Sequence, residues 1–317
     1  MWGRSKRGAA VAAVAVGVLA GACGGPPIEP VATYPPAGTV VLGSFDFAES
    51  DLLIQLYGQL FEANGFPVTF VSDVGPREIL QPALWQGMIN FVPEYAGSAL
   101  DYVAGRDSAP SETSTTLDLL RGALALRGVE ALQPAPAQNQ NVVVVRSDTA
   151  FHENVHSVSD LSRLLAKDPA LTLGGPPECP TRDLCLPGLQ AVYGLRFRSF
   201  LPLSDTSVTA AALKANQIQV GVMFSTDGAL ATSELTTLRD DRALQPAENI
   251  VPVVRTDLLT TMGASRERFV TLTNDLSSRL SADWLQTLNA RVASGQSPEL
   301  VAREWLVQQV GSLMNLG

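Results

Sequence analysis

One pattern of residues occurs in both halves of the chain, and it constrains the fold more than any other feature. The segment Ala83–Tyr95 contains Ala-Leu, then Ile, then Tyr, and the segment Ala212–Phe224 contains Ala-Leu, Ile and Phe at the same offsets. Each copy reads as a helix, a short strand and a turn of small residues. Two matching α/β halves that each place an aromatic residue at a turn indicate a protein that closes two faces around a ligand. This favours a binding protein over a catalyst.

The first residues are typical of a bacterial lipoprotein signal. A basic start precedes an apolar run at residues 9–22, which is too short to span a bilayer as a mature helix. Small residues then lead to Cys23. We therefore predict a signal peptide at residues 1–22 and a lipid-bearing N-terminus at Cys23. The alternative is an ordinary secretory signal in which Cys23 has no role.

Composition limits the partners of the remaining chain. Residues 23–38 are rich in proline, which keeps such a segment extended, so they read as a tether behind the lipid anchor. The formal net charge of the 317 residues is −9 and there is no basic block. Nucleic acid is therefore not expected as a partner. The acidity fits solubility outside the cell.

Two further cysteines, Cys179 and Cys185, flank the sequence C-P-T-R-D-L-C. An exported chain lies in an oxidising space, so we predict a disulfide bond between them, the alternative being two free thiols. A metal site is not expected, because the chain has two histidines, His152 and His156, and neither lies near the cysteines in sequence. No cofactor is expected either.

Apolar strands alternate with helices along most of the chain. The predicted strands are Val40–Phe45, Val68–Val71, Ile89–Val92, Val142–Val145, Leu171–Leu173, Val220–Phe224 and Val251–Val254. Such alternation favours doubly wound α/β sheets. With the second half inserted into the first, residues 39–141 and 253–317 would form lobe 1 and residues 142–252 lobe 2. Two crossings near Val142 and Val251 would make a hinge, with ligands bound at the carboxyl ends of the strands.

Several segments resemble a known family. The segments G-S-F-D-F-A-E-S, L-Y-G-Q-L-F-E-A-N-G-F, P-E-Y-A-G-S, F-S-T-D-G and V-P-V-V-R occur in the order found in the glycine betaine/choline/carnitine-binding proteins of osmoprotectant ABC importers, the ProX/OpuBC type. The resemblance covers about residues 40–310. It implies a two-lobe periplasmic-binding-protein fold of type II, with two hinge crossings, a ligand cleft between the lobes and no catalytic activity.

The resemblance also implies ligand-binding residues. In the family a box of tyrosines holds a quaternary ammonium through cation–π contact, and Arg, Lys and Thr side chains meet the carboxylate. Tyr95 keeps the family aromatic, and Ser98 keeps the hydroxyl of the usual Thr. Arg182, between the two cysteines, is similar to the carboxylate-binding Arg. Phe224 replaces a Tyr and keeps only the ring.

Other positions depart from the family pattern. Phe45 stands where Lys is frequent, and Asn141 falls roughly where a cage Tyr is usual. Asp46 and Asp227 flank the predicted cleft. Either would hold a cationic ligand or cap the following helix, and capping is favoured for Asp227. The remaining tyrosines are expected in the tether, in helices or in lobe 2, so Phe45, Phe47 or Phe200 would have to complete the walls.

Together these observations predict a monomeric, lipid-anchored protein on the extracytoplasmic face of the membrane. It would capture a small solute such as glycine betaine, choline or a related quaternary amine and deliver it to an ABC permease. Because the tyrosine cage looks incomplete, a less charged or aromatic ligand is the alternative. A cell-wall lipoprotein enzyme and a scaffold lipoprotein are two further classes. The enzyme is disfavoured because no nucleophile, such as Ser44, Ser98 or Ser225, has a histidine base nearby in sequence.

Overall fold

The computed structural model describes residues 37–105 and 108–311. The predicted signal peptide at residues 1–22, the lipidation site Cys23, Tyr34 and most of the tether lie outside the described residues. Within the described part of the chain, no helix is long and apolar enough to cross a membrane.

Lobe 1 is built on a five-stranded mixed sheet. In spatial order its strands are β2 (Val68–Val71), β1 (Val40–Gly43), β3 (Phe91–Tyr95), β10 (Ile250–Arg255) and β4 (Val129–Ala131). Its helices are α1 (Ala48–Ala63), α2 (Arg77–Trp85), α3 (Ala96–Ala104), α4 (Thr113–Ala125), α9 (Thr256–Thr261), α10 (Arg266–Arg279), α11 (Ala282–Ala293) and α12 (Pro298–Val310).

Lobe 2 repeats this arrangement with a second five-stranded sheet. In spatial order its strands are β7 (Ser199–Pro202), β6 (Thr172–Gly175), β8 (Val220–Phe224), β5 (Asn141–Arg146) and β9 (Leu235–Leu238). Its helices are α5 (Ser147–Glu153), α6 (Leu161–Lys167), α7 (Leu186–Tyr193) and α8 (Thr206–Lys214).

The register of the two sheets places Tyr95 and Phe224 at equivalent points. Strand β3 runs antiparallel to β10 with Tyr95 opposite Ile250, and β8 runs antiparallel to β5 with Phe224 opposite Asn141. Each aromatic residue is thus the last of its strand, opposite the first residue of the strand that follows a crossing. The repeated sequence pattern therefore corresponds to repeated structure.

Close packing in the two sheets explains why isoleucine recurs in the pattern. Gly43 in β1 lies against Ile89, and Gly174 in β6 lies against Ile218. In both cases a Cβ on the glycine would come within 2.5 Å of the isoleucine side chain. A large side chain over a glycine keeps the preceding helix close to its sheet.

The chain crosses between the lobes twice, at residues 132–140 and 239–249. The two crossings pair with each other, because Gln138 and Asn249 form an antiparallel bridge and the Asn139 amide donates to the Glu248 carbonyl at 3.0 Å. The predicted crossings near Val142 and Val251 lie at the start of β5 and β10, just after these segments. The two-lobe α/β fold expected from the sequence is confirmed.

Some elements differ from the sequence prediction. Strand β3 does not end at Val92 as predicted but continues through Pro93 to Tyr95. Proline has no backbone N–H, and Pro93 lies opposite Pro252 in β10, so the two missing donors fall at the same position of the β3–β10 pairing. The short strands β4, β7 and β9 were not predicted. The C-terminal helical region breaks twice, at residues 280–281 between α10 and α11 and at residues 294–297 between α11 and α12.

Candidate functional site

Two cavities lie between the lobes and share one boundary. The large cavity has a volume of about 870 Å³ and the small cavity about 460 Å³. Ser98, Asn139 and Phe224 line both, so one residue from lobe 1, one from the first crossing and one from lobe 2 separate them. The carboxyl ends of β3 and β8 meet here, which is where α/β lobes bind ligands.

Tyr95 forms the lobe 1 wall of the large cavity. It ends β3 and directly precedes α3, and only 6% of its surface is exposed. Its ring lies 6.0 Å from that of Phe47 and 6.2 Å from that of Phe45, between centroids. Its hydroxyl donates to Glu49 Oε1 at 2.8 Å. Burial, followed by the neighbouring Glu49 carboxylate, holds the pKa of the Tyr95 phenol well above its ordinary value.

Glu49 lies in the first turn of α1 and lines the large cavity beside Tyr95. Besides the Tyr95 hydroxyl, its carboxylate accepts from Asn139 Nδ2 at 2.8 Å and from Asn289 Nδ2 at 2.6 Å. Burial raises the pKa of the Glu49 carboxyl, and these hydrogen bonds oppose the rise. One carboxylate therefore connects α1, the end of β3, the first crossing and α11.

A second buried carboxylate holds the end of β3 from behind. Glu94 is fully buried, accepts from the Tyr95 amide at 3.0 Å, and pairs with Arg77 at 2.9 Å. The Arg77 guanidinium also lies over the Phe45 ring, 5.0 Å from its centroid. Because Arg77 and Gln81 both donate to Glu94, the backbone that carries Tyr95 is fixed on two sides.

Lobe 2 presents a more exposed wall. Phe224 ends β8 and is 46% exposed. The next residue, Ser225, donates to the Gln138 carbonyl at 2.6 Å and accepts from the Gln140 amide at 3.0 Å, which ties the turn to the first crossing. Asp227 accepts from the Ala229 amide at 2.7 Å, so it caps a turn while lining the large cavity.

Lobe 1 and lobe 2 also touch beside the large cavity. Asn289 Nδ2 in α11 donates to the Thr226 carbonyl at 2.8 Å, and Gln286 donates to the Ser225 carbonyl at 2.8 Å. Gly228 packs so closely on this helix that a Cβ would lie 2.4 Å from the Ala290 amide nitrogen. The C-terminal region thus supplies a third wall of the large cavity.

The small cavity contains the cationic residue of the site. Arg182 lies on the loop between Cys179 and Cys185, and these two cysteines form a disulfide bond whose loop lines the cavity. Among the described residues, the Arg182 guanidinium has no ion-pair partner. Glu248 also lines this cavity and accepts from the Ser98 backbone amide at 3.1 Å and from the Ser98 hydroxyl. Burial raises the pKa of Glu248.

A family profile described as the substrate-binding domain of the ABC-type glycine betaine transport system (OpuAC) matches residues 38–308. The chain belongs to this family. The match spans both lobes and both crossings. The family consists of binding components of transport systems and not of enzymes, and the protein is accordingly a substrate-binding component of ABC-type glycine betaine transport.

Individual members of the family are similar over most of their length. The chain is 29% identical over 278 residues to the glycine-betaine-binding protein of Pseudomonas aeruginosa, covering 85% of this chain and 88% of that protein. It is 28% identical over 287 residues to the glycine betaine-binding protein YehZ of Escherichia coli, covering 86% and 91%. The apo YehZ structure superposes with a TM-score of 0.75, with 28% identity, covering 86% of this chain and 99% of that chain.

The structure distributes the residues predicted for the OpuAC-family site over three places. Tyr95 lines the large cavity, Asn141 and Arg182 line the small cavity, and Ser98 and Phe224 line both. Asn141 also donates to Gln245, at 3.4 Å.

Phe45 and Asp46 line neither cavity. Phe45 is buried, with Arg77 and Tyr95 as neighbours, so it supports the aromatic wall from behind. Asp46 is exposed, and the N-cap of α1 is Phe47, so Asp46 does not take the capping position either. Of the two other phenylalanines suggested for the walls, Phe47 lines the large cavity, whereas Phe200 packs on the lobe 2 core.

The cavity-lining residues that the sequence did not predict include Glu49, Asn139, Thr226 and Asn289. Glu49 stands in the same G-S-F-D-F-A-E-S segment that gave Phe45 and Asp46, and its position within the first helical turn was the available signal. Asn139 lies near the end of the first crossing, two residues before the predicted Asn141, which begins β5. Asn289 gave no signal, because only the tertiary packing of α11 brings it to Glu49.

Proposed function

We propose that the protein is the lipid-anchored, extracytoplasmic solute-binding component of an ABC importer, and that it captures a quaternary amine such as glycine betaine or choline and delivers it to a membrane permease. The observation that carries this proposal is the large cavity between the lobes, where the Tyr95 ring and the buried Glu49 carboxylate lie side by side. Both groups attract a permanent cation.

The chemistry of a trimethylammonium group fits this wall. Such a group has no hydrogen-bond donor, so it is bound by aromatic faces and by burial of its methyl groups. Tyr95, Phe47 and Phe224 offer aromatic surface to the large cavity. The names of the related proteins, which refer to glycine betaine, support this ligand class.

The small cavity provides the complementary charge. Arg182 is free to bind a ligand carboxylate through two parallel N–H···O bonds. Its loop is closed by the Cys179–Cys185 disulfide, which limits the conformations of the guanidinium. Ser98 and Asn139 line both cavities, so a zwitterion that spans the boundary would contact both charged regions.

Anchoring and delivery rest on sequence features and on the family. Cys23 after a signal peptide at residues 1–22 would carry the lipid, and residues 23–38 would tether the folded part to the membrane. We expect a monomer that presents its ligand to the permease. Radiolabelled palmitate incorporation into the wild-type chain, and its loss in Cys23→Ala, tests the anchor.

The ligand proposal is tested by thermal unfolding of the purified protein with glycine betaine, choline, carnitine, proline betaine, ectoine and several neutral aromatic compounds. A ligand that binds only the folded state stabilises it by about 2.7 kcal/mol at a hundred times its Kd. We expect quaternary amines to raise the midpoint in wild type and to do so much less in Tyr95→Ala. If every quaternary amine leaves the midpoint unchanged, the proposed ligand class is wrong.

A second candidate is the same fold with a less charged or aromatic ligand. It is favoured by the thin cage, because Tyr95 is the one tyrosine that lines either cavity in the described part of the chain. Phe224 provides a ring without a hydroxyl on the opposite wall. In the same assay this candidate predicts that a neutral aromatic compound raises the midpoint of thermal unfolding and that betaines leave it unchanged.

A further inference from the structure

The large cavity is lined by acidic and not by basic side chains. Glu49, Asp205 and Asp227 line it, and no Lys, Arg or His is among the described residues of its wall. Asp205 accepts from the Val208 amide at 2.9 Å and caps α8, and Asp227 caps the turn after β8. Two of the three carboxylates therefore have a local structural role. Glu49 caps neither a helix nor a turn, because the N-cap of α1 is Phe47, and its hydrogen bonds come from side chains of other elements.

Glu49 is buried among neutral donors. The residue is 7% exposed, and its carboxylate accepts from the Tyr95 hydroxyl and from the side-chain amides of Asn139 and Asn289. These donors occupy both carboxylate oxygens, which suits the ionised form, since an ionised carboxylate only accepts hydrogen bonds. No Lys, Arg or His pairs with Glu49 within residues 37–105 and 108–311.

A buried carboxylate without a cation is energetically costly in a folded protein. Hydrogen bonds from neutral groups reduce this cost but do not cancel the charge. The uncompensated charge faces a cavity, and that cavity also presents the aromatic rings of Tyr95, Phe47 and Phe224. A cationic ligand would therefore supply the counter-ion that the protein itself lacks.

We propose that Glu49 is the specificity-determining residue for charge, and that its carboxylate makes the large cavity select organic cations over neutral molecules of the same shape. This inference rests on the proposed function and goes beyond it by naming the charged group responsible. Glu49 acts on the ligand in two ways. Its negative charge attracts the cation in a part of the cavity that contains little water. The hydrogen bond that it accepts from the Tyr95 hydroxyl makes the phenol ring more electron-rich, which strengthens the cation–π contact.

The alternative role for Glu49 is structural, since it connects α1, the first crossing and α11 through the two asparagines. The two roles differ in one measurable respect. A structural residue affects every ligand of the cavity alike. A charge-selecting residue affects a cation and leaves its neutral isostere unchanged. Choline and 3,3-dimethylbutan-1-ol form such a pair, because the second compound replaces the ammonium nitrogen by carbon.

The test is calorimetric measurement of Kd for both compounds with the wild-type protein, Glu49→Gln and Glu62→Gln. Glu62→Gln is the matched control, because it makes the same charge change on the same helix and Glu62 does not line the cavity. We expect the wild type to prefer choline, Glu49→Gln to lower this preference by about tenfold or more, and Glu62→Gln to leave it unchanged. Equal weakening of both compounds in Glu49→Gln would overturn the inference and leave the proposed function standing.

A measurement on the wild type covers the case in which Glu49→Gln does not fold. The groups that face Glu49 are Tyr95, Asn139, Asn289 and Thr226, and of these described neighbours Tyr95 alone can titrate, at high pH. In a series of measurements from about pH 4.5 to about pH 7.5, which extends upwards from the ordinary pKa of Glu, choline should therefore release protons on binding and the alcohol should not. Calorimetry in two buffers of different ionisation enthalpy measures this release. Equal release for both compounds would overturn the inference, and binding of neither choline nor glycine betaine would overturn the proposed function with it.

Discussion

The two lobes share one topology but differ in how they are packed. The lobe 1 core contains a group of aromatic rings in mutual contact, namely Tyr57, Phe61, Phe91 and Phe269, all of them fully buried. The lobe 2 core is mainly aliphatic and divides into two clusters on the two faces of its sheet, with Val143 and Val145 in one cluster and Val144 in the other. Lobe 2 also has the Cys179–Cys185 disulfide.

The same contrast holds at the cavity walls. In lobe 1 the Tyr95 side chain is buried and its hydroxyl and amide are hydrogen-bonded. In lobe 2 Phe224 is half exposed and Arg182 lies on an exposed loop. We infer that lobe 1 provides a preorganised half of the site, whereas the lobe 2 half gains its contacts when the ligand is bound. Preorganised groups lose less entropy on binding, so lobe 1 should contribute more to affinity.

The largest expected effect comes from the lobe 1 core. Phe61→Ala should lower the free energy of unfolding by about 3 to 5 kcal/mol, because it removes a buried ring from the aromatic group. Phe151→Ala in lobe 2 is the control, since Phe151 is 79% exposed and its removal should change stability by less than about 0.5 kcal/mol. Urea unfolding measures both. Similar values for the two variants would contradict the assignment of Phe61 to the core.

The next effect compares the two aromatic walls. Tyr95→Ala should weaken choline binding by about 2 kcal/mol, or roughly 30-fold in Kd, because a desolvated cation–π contact is lost. Phe224→Ala should cost about 0.5 to 1 kcal/mol, or roughly 2- to 5-fold, because its ring is partly solvated. Isothermal titration calorimetry distinguishes these values. A larger loss in Phe224→Ala would reverse the proposed division of labour between the lobes.

The disulfide offers a comparison of ligand classes. Replacing both Cys179 and Cys185 by Ser should lower the stability of lobe 2 by about 2 kcal/mol, because the loop it closes is short. Without the disulfide the loop that carries Arg182 is less restricted, so Arg182 should bind the glycine betaine carboxylate less well. Choline has no carboxylate and should bind as before. Affinities for the two ligands, measured side by side, check this. Unchanged betaine binding would show that the disulfide does not position Arg182.

The smallest expected effect is a pH dependence that belongs to lobe 1. Burial raises the pKa of Glu49, so its negative charge is lost at a less acidic pH than that of an ordinary Glu. Choline affinity should therefore fall as the pH decreases towards this raised pKa, by about twofold at the pH where half of the Glu49 carboxylates are protonated. Glu49→Gln should remove the dependence. A fall of equal size in that variant would assign the effect to another group.

Part of this arrangement was predictable from the sequence. The repeated helix–strand offsets fixed Tyr95 and Phe224 at the ends of equivalent strands, because strand register and helix length leave little freedom. The disulfide between Cys179 and Cys185 was predicted because an exported chain lies in an oxidising space, and the structure contains it. The motif that contains Phe45 could not show that its side chain lies outside both cavities, because a motif gives a position in the chain but not the direction of a side chain. The contact of Asn289 with Glu49 depends on the packing of α11 against α1, which no local pattern reveals.

The central claim is that a cation binds against Tyr95 between the two lobes. A crystal structure of the protein with bound choline tests it most directly. The account predicts the trimethylammonium group in the large cavity, within about 6 Å of the Tyr95 ring centroid and on the side of the ring that faces Phe224. Choline bound away from Tyr95, or outside the cavities between the lobes, would contradict it.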